Sequence, residues 1–174
     1  MKILKYIMAV MLLAGMGISL QGQKVNWMTI EEAEAAVKDE PRKLIVDVYT
    51  DWCGWCKRMD QTTFSNPVIA DYLNQNYYAV KLDAEQRDSI RFKDHTFKYV
   101  AQGRRGYNEL AAALLNGKMS YPNIVYMNED LQVLQAVPGY QDAKSFEKII
   151  KFFGGDHFKE TSWEEFQKNF ESEL

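Results

Sequence analysis

The pattern of hydrophobic and polar residues predicts alternating helices and strands from about residue 27 onward. A capping box of Thr29 and Glu32 begins the first helix, and Pro41 ends it. KLIVDVYT (43–50) is a continuous hydrophobic run interrupted by one charge, Asp47. Such a run is typical of a central strand that is buried on both faces. The hydrophobic face of the first helix consists of Ile30, Ala33, Ala36 and Val37.

The rest of the chain continues this alternation. After the strand, the residues through Asp60 have helical composition, and Asn66-Pro67 begins another helix. YYAVKLDA (77–84) predicts the next strand, and the segments 123–127 and 132–137 predict a β-hairpin. Asp142 caps a further helix. The predicted order is β-α-β-α-β, then an insert, then β-β-α.

Residues 1–22 have the composition of a signal peptide. Lys2 and Lys5 precede a hydrophobic stretch from Tyr6 to Leu20, and polar residues follow. A hydrophobic core of about 15 residues is short for a membrane span. The alternative is an uncleaved anchor, because the residues at 20–22 form a mediocre cleavage site. We therefore expect an exported protein of the periplasm or cell envelope, beginning near Gln23 and without stable membrane insertion after cleavage.

The charge and length of the mature chain restrict its partners and organisation. Removing residues 1–22 takes away two lysines and no acid, so the formal net charge changes from −3 to −5. A negative chain is a poor partner for nucleic acid or an anionic membrane surface, and we expect neither. The remaining length, roughly 150 residues, suffices for one domain with its own hydrophobic core. Folding therefore does not require a disulfide.

The two cysteines of the chain, Cys53 and Cys56, stand in DWCGWCK (51–57), directly after the buried strand. Two thiols separated by two residues occur in redox pairs, in halves of zinc sites and in small structural disulfides. A zinc site needs about four ligands, and His95 and His157 lie in unrelated segments, where we expect surface positions. We therefore expect no metal. The redox pair and the static disulfide both remain open on these grounds.

Two other kinds of cysteine chemistry are less favoured. A cysteine hydrolase needs a positioned base, and neither histidine is near the pair in sequence. Copper delivery would favour clustered methionines. The methionines of the mature chain form no cluster, and none lies between the cysteines; they are Met28, Met59, Met119 and Met127.

The ordered motifs of residues 25–153 resemble the thioredoxin superfamily. IVDVYTDWCGWCK (45–57) resembles its redox motif, with Trp52 before the pair and a buried aspartate, here Asp47, at the matching spacing. The WCGWCK form is similar to that of exported thioredoxin-like proteins of bacterial envelopes. The resemblance implies an α/β thioredoxin fold, in which a central mixed β-sheet is flanked by helices. It also implies a redox-active pair.

Three further positions carry the same resemblance. YPNIVYM (121–127) resembles the segment that begins with the cis-proline of thioredoxin, here Pro122, and Gly139 precedes the last helix of the fold. Lys81 matches the lysine that thioredoxin places near its buried aspartate. The resemblance implies that the Tyr121 backbone binds an extended substrate strand. A shallow substrate groove would be lined by Trp52, Gly54, Trp55, Tyr121, Pro122 and Gly139; packing in the core or at the rim is the alternative for either Trp.

The position of the pair at a helix start assigns different roles to the two thiols. Helix amides and the helix dipole stabilise a thiolate at the first position, so Cys53 is the expected nucleophile. Cys56 then resolves the mixed disulfide. Asp47 is expected to have a raised pKa and to exchange a proton with Cys56, with Lys81 supporting this transfer. The alternative is that Asp47 is a buried polar residue without a catalytic part.

Two segments of the chain are additional to the thioredoxin pattern: an insert and a C-terminal extension. In the insert, about 86–119, IRFKDHTFKYV (90–100) predicts a hairpin, and GRRGYNELAAALLNG (103–117) predicts a helix with Gly117 just past its end. Arg104-Arg105 in the insert is interpreted as a solvated turn rather than an anion site. The extension 156–174 predicts a helix opened by Ser162, with Trp163, Phe166 and Phe170 on one side. We expect both segments to serve packing rather than partner docking, beside a thioredoxin-like domain at 23–155.

These observations predict a thiol:disulfide oxidoreductase that reduces disulfides in exported proteins. Its redox centre is expected to need no metal and no organic cofactor, and its partners are expected to be protein substrates with disulfides or oxidised thiols. A separate redox partner must recharge the pair. The alternatives are a non-enzymatic binding module with a static disulfide and a disulfide-forming oxidase.

Overall fold

The structure is a computed structural model and describes residues 24–174, so the predicted signal peptide lies outside the described residues. Five strands form a central mixed sheet with the spatial order β1-β3-β2-β8-β9. β1 and β2 run parallel to β3, whereas β8 runs antiparallel to both β2 and β9. These strands are β1 (Trp27–Met28), β2 (Lys43–Tyr49), β3 (Tyr77–Asp83), β8 (Asn123–Met127) and β9 (Val133–Pro138).

Helices cover both faces of the sheet. The predicted caps are present: Thr29 and Glu32 form the capping box of the first helix, and Asn66 and Asp142 cap two others. Among residues 24–174, no helix is both long and hydrophobic enough to cross a membrane. The helices are α1 (Ile30–Asp39), α2 (Gly54–Thr62), α3 (Pro67–Asn76), α4 (Glu109–Leu114), α5 (Ala143–Gly154) and α6 (Trp163–Asn169), with a short 3-10 turn at His157–Lys159.

The alternation of side chains along β2 divides the hydrophobic core into two layers. Leu44, Val46 and Val48 contribute to the layer that contains α1 and α4. Ile45 contributes to the other layer, which contains residues of α2, α3 and α5. Asp47 shares the side-chain parity of Ile45, and therefore points to the face that α2 covers. The predicted thioredoxin fold, with helices on both sides of a mixed sheet, is confirmed.

The insert consists of two hairpins and one helix, and residues of the first hairpin and of the helix are buried in the core. Its hairpins are β4 (Ile90–Phe92) with β5 (His95–Phe97), and β6 (Tyr99–Gln102) with β7 (Arg105–Asn108). Ile90, Phe92 and Leu110 are almost completely buried in the layer that also contains α1. The expected packing role therefore holds for these residues of the insert.

The helix predicted from residue 103 is wrong in its first six residues. Gly103 has a φ of +59° and lies in the turn between β6 and β7, so residues 103–108 form a hairpin instead. The helix begins only at Glu109, where the Asn108 side chain accepts a hydrogen bond from the Leu110 amide. Glycine at two of four positions in GRRG disfavours a helix and permits the tight turn. Arg104 lies at this turn, whereas Arg105 is the first residue of β7.

The C-terminal extension packs against α5 through aromatic rings and one buried carboxylate. The Phe152 ring centroid lies 5.2 Å from that of Trp163 and 5.1 Å from that of Phe166. Glu147 of α5 is fully buried, and its carboxylate accepts hydrogen bonds from the Ser172 hydroxyl at 2.5 Å and the Glu173 amide at 2.9 Å. Lys151 donates a third, at 3.0 Å. The extension is therefore fixed to the domain by directed contacts.

Glu147→Gln is expected to lower the free energy of unfolding by about 2 kcal/mol at pH 7, because hydrogen bonds to a buried charge are lost or weakened. Burial opposes ionisation, but the bonds from Ser172, Glu173 and Lys151 outweigh it and lower the pKa of Glu147 below 4.5. The stabilisation is therefore present above that value and is lost as the pH falls through the folded-state pKa. Urea unfolding at pH 7 and at about pH 3 measures the difference.

The matched control for this variant is Glu164→Gln, which changes an exposed glutamate on α6. We expect a change below about 0.5 kcal/mol for it at either pH. A loss in Glu147→Gln that is independent of pH, or an equal loss in Glu164→Gln, would contradict the assigned role of the buried carboxylate.

Candidate active site

The cysteine pair lies at the junction between β2 and α2. Cys53 is the N-cap residue of α2, and its sulfur accepts a hydrogen bond from the Cys56 amide at 3.1 Å. The Cys53 amide in turn donates to the Thr50 carbonyl at 3.1 Å. A sulfur in the N-cap position faces the unpaired amides and the positive end of the helix dipole. This environment stabilises a thiolate on Cys53 when the pair is reduced.

Cys53 and Cys56 form a disulfide in the structure. Cys53 is 5% exposed and Cys56 is 2% exposed, so the first cysteine is slightly more accessible than the second. The intervening Gly54 and Trp55 are exposed. This asymmetry agrees with a first cysteine that meets the substrate and a second that acts from inside.

Asp47 lies under α2 and is linked to it through Lys81. Asp47 is 1% exposed, and the Lys81 ammonium lies 2.6 Å from Asp47 Oδ2 and 2.5 Å from Asp60 Oδ1. Asp60 is four residues after Cys56 on α2, and residues at this spacing share a helix face. One ammonium therefore joins the buried strand to the helix face that carries Cys56.

The pKa values of Asp47 and Lys81 are both raised, for different reasons. Burial raises the pKa of Asp47 above its ordinary value, although Lys81 opposes the shift; Asp60 adds to it. Burial also acts against the charge on Lys81, but the Asp47 and Asp60 carboxylates outweigh it and raise the pKa of Lys81. Asp47 Oδ1 is buried without a hydrogen-bond partner. A raised pKa and an unpaired oxygen are compatible with a general base, and the role of Asp47 stays a prediction.

Aromatic rings surround the Lys81 ammonium. Its nitrogen lies 4.9 Å from the Tyr49 ring centroid, 5.0 Å from that of Trp27 and 5.3 Å from that of Phe64. A cation is attracted to ring faces at such distances. The rings restrict the ammonium to the position where it reaches both carboxylates.

The peptide bond between Tyr121 and Pro122 is cis, and this loop borders a shallow groove. The groove has a volume of about 280 Å³ and is lined by Trp55, Tyr121, Pro122, Gly139 and Tyr140. Gly139 has a φ of +92°, which favours glycine, and its amide donates to the Pro122 carbonyl at 2.8 Å. The structure therefore brings together the cis-proline loop, Gly139 and Trp55, whereas Trp52 and Gly54, which were also expected to line this groove, do not line it.

Trp52 and Trp55 lie on the surface beside the pair. Trp52 is 51% exposed and Trp55 is 63% exposed, so neither is a core residue. The Trp52 indole donates to Glu85 Oε1 at 3.0 Å, and its ring meets Tyr121 edge to face at 5.9 Å between centroids. Trp55 packs on Tyr140 at 5.4 Å between centroids.

Four residues of this surface are absent from the sequence-based site: Asp60, Glu85, Arg105 and Tyr140. Helical spacing from Cys56 could have identified Asp60. Glu85, Arg105 and Tyr140 contact Trp52 or Trp55 through the tertiary fold. No local pattern marks Glu85 or Tyr140, and Arg105 was interpreted from its sequence as part of a solvated turn. Within residues 24–174, no group of three or more His, Cys, Asp or Glu side chains is placed to hold a metal ion.

Fold and site define the class: a thioredoxin-fold protein with a disulfide at the start of the helix that follows its central strand. Residues 30–154 match the thioredoxin-like domain family, and the chain belongs to this family. The fold, the family and the disulfide support a thiol:disulfide oxidoreductase in general terms.

Curated relatives match a limited part of the chain. Thiol:disulfide interchange protein DsbD of Pectobacterium atrosepticum is 33% identical over 46 residues, which are 26% of this chain and 8% of that protein. Spermatogenesis-associated protein 20 of Rattus norvegicus is 32% identical over 77 residues, which are 44% of this chain and 10% of that protein. The chain thus spans about a tenth of the length of these relatives.

Among solved structures, the chain is similar to that of a DsbH oxidoreductase, with a TM-score of 0.56 and 15% sequence identity. The match covers 77% of this chain and 87% of the other. At this identity the likeness concerns the fold.

Proposed function

We propose that this chain is an exported thiol:disulfide oxidoreductase that reduces disulfides in exported proteins through a Cys53/Cys56 cycle. The observation that carries the proposal is the disulfide at the N-terminus of α2, next to a groove formed by the cis-proline loop and Trp55. The match to a thiol:disulfide interchange protein supports the same chemistry. Export rests on the composition of residues 1–22.

In the first step, the Cys53 thiolate attacks one sulfur of a substrate disulfide. A bond forms between that sulfur and Cys53, the substrate S–S bond breaks, and the departing substrate thiolate takes a proton from solvent. The helix N-terminus favours this step because it stabilises the attacking thiolate. The product is a mixed disulfide between Cys53 and the substrate.

In the second step, Cys56 attacks the Cys53 sulfur. The Cys56 thiol gives its proton to the Asp47 carboxylate, the Cys53–Cys56 bond forms, and the bond between Cys53 and the substrate breaks. The departing second substrate thiolate takes a proton from solvent, and Asp47 releases its proton to solvent. The substrate has then gained two electrons and two protons, and the pair is oxidised as in the structure. A partner dithiol must return the pair to the reduced state. The centre needs no metal or organic cofactor for this cycle.

Substrate binding is assigned to the groove beside the pair. The backbone of Tyr121, before the cis-proline, would bond to an extended substrate segment in the manner of an added strand. Trp52, Gly54, Trp55 and Gly139 would contact its side chains. Such a mode recognises backbone first, so one groove serves several protein substrates.

The reduction potential of the pair is expected to be more negative than about −200 mV. Gly54 and Trp55 bring no positive charge between the cysteines, and any ionised fraction of Asp47 disfavours a nearby thiolate. Lys57 and Arg58 act in the opposite direction, but both are exposed and screened by solvent. Equilibration of the pair with glutathione buffers of known ratio, read by thiol alkylation, measures the potential.

The same titration separates the alternatives. A potential near about −120 mV, the value of a strong oxidant, would replace the reductase by a disulfide-forming oxidase. A pair that stays oxidised even in excess strong dithiol reductant, and exchanges with no other thiol, would instead indicate a binding module with a static disulfide. Reduction of an insulin-type substrate by the reduced protein is the direct test of activity.

A further inference from the structure

An arginine of the insert lies on the face of Trp52. The Arg105 guanidinium carbon is 4.3 Å from the Trp52 ring centroid, although the two residues are 53 positions apart in sequence. Arg105 is the first residue of β7 and is exposed. The second hairpin of the insert therefore reaches the residue that immediately precedes the nucleophile Cys53.

A guanidinium over an aromatic ring favours stacking through its flat face, an arrangement that leaves its edge free. The N–H donors lie in the guanidinium plane and point outward, in the geometry that binds a carboxylate through two hydrogen bonds. Among residues 24–174, no carboxylate oxygen lies within 4.0 Å of Arg105. The donors are thus available to a carboxylate from another molecule.

The Trp52 side chain, on which this cation lies, is held by two contacts. Its indole N–H donates to Glu85, and its ring packs against Tyr121 of the cis-proline loop. Glu85 accepts from Trp52 and Asp83 accepts from the Glu85 amide at 2.9 Å, and neither acid forms an ion pair with Arg105 among the described residues. Arg105 therefore stacks on a residue that in turn contacts Tyr121, which lines the groove.

We propose that Arg105 is a specificity-determining residue that binds a carboxylate side chain flanking the target cysteine of a protein substrate. This inference rests on the proposed reductase function and adds a substrate class to it. The insert then has two roles, since its β4 and α4 residues pack in the core while its second hairpin selects substrates.

The test uses three synthetic peptides that share one intramolecular disulfide and differ only in the flanking residues, which are Glu, Gln or Lys. The second-order rate constant for reduction of each peptide by the reduced protein is measured by stopped flow. Arg105→Gln is expected to lower the ratio of the Glu-peptide rate to the Lys-peptide rate about threefold relative to the unmodified protein. Arg105→Glu should lower it further, and the rate for the Gln peptide should stay the same.

Arg104→Gln is the matched control, because it removes the same charge from the same hairpin without touching Trp52. We expect it to leave the ratio unchanged. If the ratio of the Glu-peptide rate to the Lys-peptide rate falls equally in Arg104→Gln, the effect is due to net charge. If Arg105→Gln slows the reduction of all three peptides equally, Arg105 only holds Trp52 in place. Either result overturns the inference while leaving the reductase intact. A protein that reduces none of the peptides overturns both.

Discussion

Cys53→Ser is expected to reduce disulfide reductase activity to below about a thousandth of the unmodified rate, because the attacking nucleophile is lost. A serine hydroxyl at this position does not ionise near neutral pH, even next to the unpaired amides of α2. Cys56→Ser should behave differently. It retains the Cys53 thiolate and its helix environment, so it should attack substrates and accumulate mixed disulfides that no second thiol resolves.

Both variants are assayed with the same insulin-type substrate, and adducts are counted on non-reducing gels and by mass spectrometry. Each serves as the control for the other, since both lack the disulfide and differ only in which thiol remains. Accumulated adducts on Cys53→Ser, with no attack by Cys56→Ser, would reverse the assigned roles. Adducts captured on Cys56→Ser in cells would also identify substrates.

Asp47→Asn is expected to slow the resolution of the mixed disulfide about a hundredfold, the usual contribution of a positioned general base. The substitution keeps the shape of the side chain and removes its capacity to accept the Cys56 proton. Single-turnover decay of the mixed disulfide measures this step. In the unmodified protein its rate should rise with pH as the Asp47 carboxylate ionises, and this part of the rise should be absent from Asp47→Asn.

The same substitution changes how the stability of the oxidised protein depends on pH, because it removes the titratable carboxylate of a desolvated pair. The pKa of Asp47 is raised by burial, so its ionisation destabilises the fold above the folded-state pKa. This destabilisation disappears as the pH falls through that pKa towards the ordinary value of 3.8. The stability of Asp47→Asn relative to the unmodified protein, measured by urea unfolding, should therefore decrease as the pH is lowered.

Asp60→Asn is the matched control, since Asp60 is the other carboxylate bound to Lys81. The Asp60 side chain is 45% exposed. Its effect on the resolution step should stay within about threefold, as expected for a solvent-screened pair. Equal slowing in both variants would mean that Lys81, rather than Asp47, controls the proton. Unchanged resolution in Asp47→Asn would leave Asp47 as a buried polar residue without a catalytic part.

Elements governed by local sequence could be predicted well. The α1 cap depends on Thr29 and Glu32, three residues apart, and β2 is a hydrophobic run whose predicted bounds differ from the observed ones by one residue. The cysteine pair and the cis-proline were likewise found from short motifs. Such features are visible in sequence because the interactions that fix them span a few neighbouring positions.

Features that depend on distant contacts could not be predicted in this way. The GRRG segment was assigned to a helix because the alanine-rich residues after it are strong helix formers, yet the hairpin pairing of Val100 with Tyr107 takes precedence. The stacking of Arg105 on Trp52 follows from that hairpin. The burial of Glu147 could not be predicted from the local sequence either, because its hydrogen-bond partners Ser172 and Glu173 lie 25 and 26 residues further along the chain.

The sharing of Lys81 between two carboxylates also constrains how this sequence can evolve. Loss of Lys81 alone would leave Asp47 buried without a cation, and removal of one member of a buried pair costs about 3–5 kcal/mol. If Asp47 became neutral first, the later loss of Lys81 would cost far less, so the two substitutions are epistatic and their order matters. Homologues with an uncharged residue at position 81 should therefore have an uncharged residue at position 47. An alternative proton acceptor would then have to arise elsewhere around Cys56.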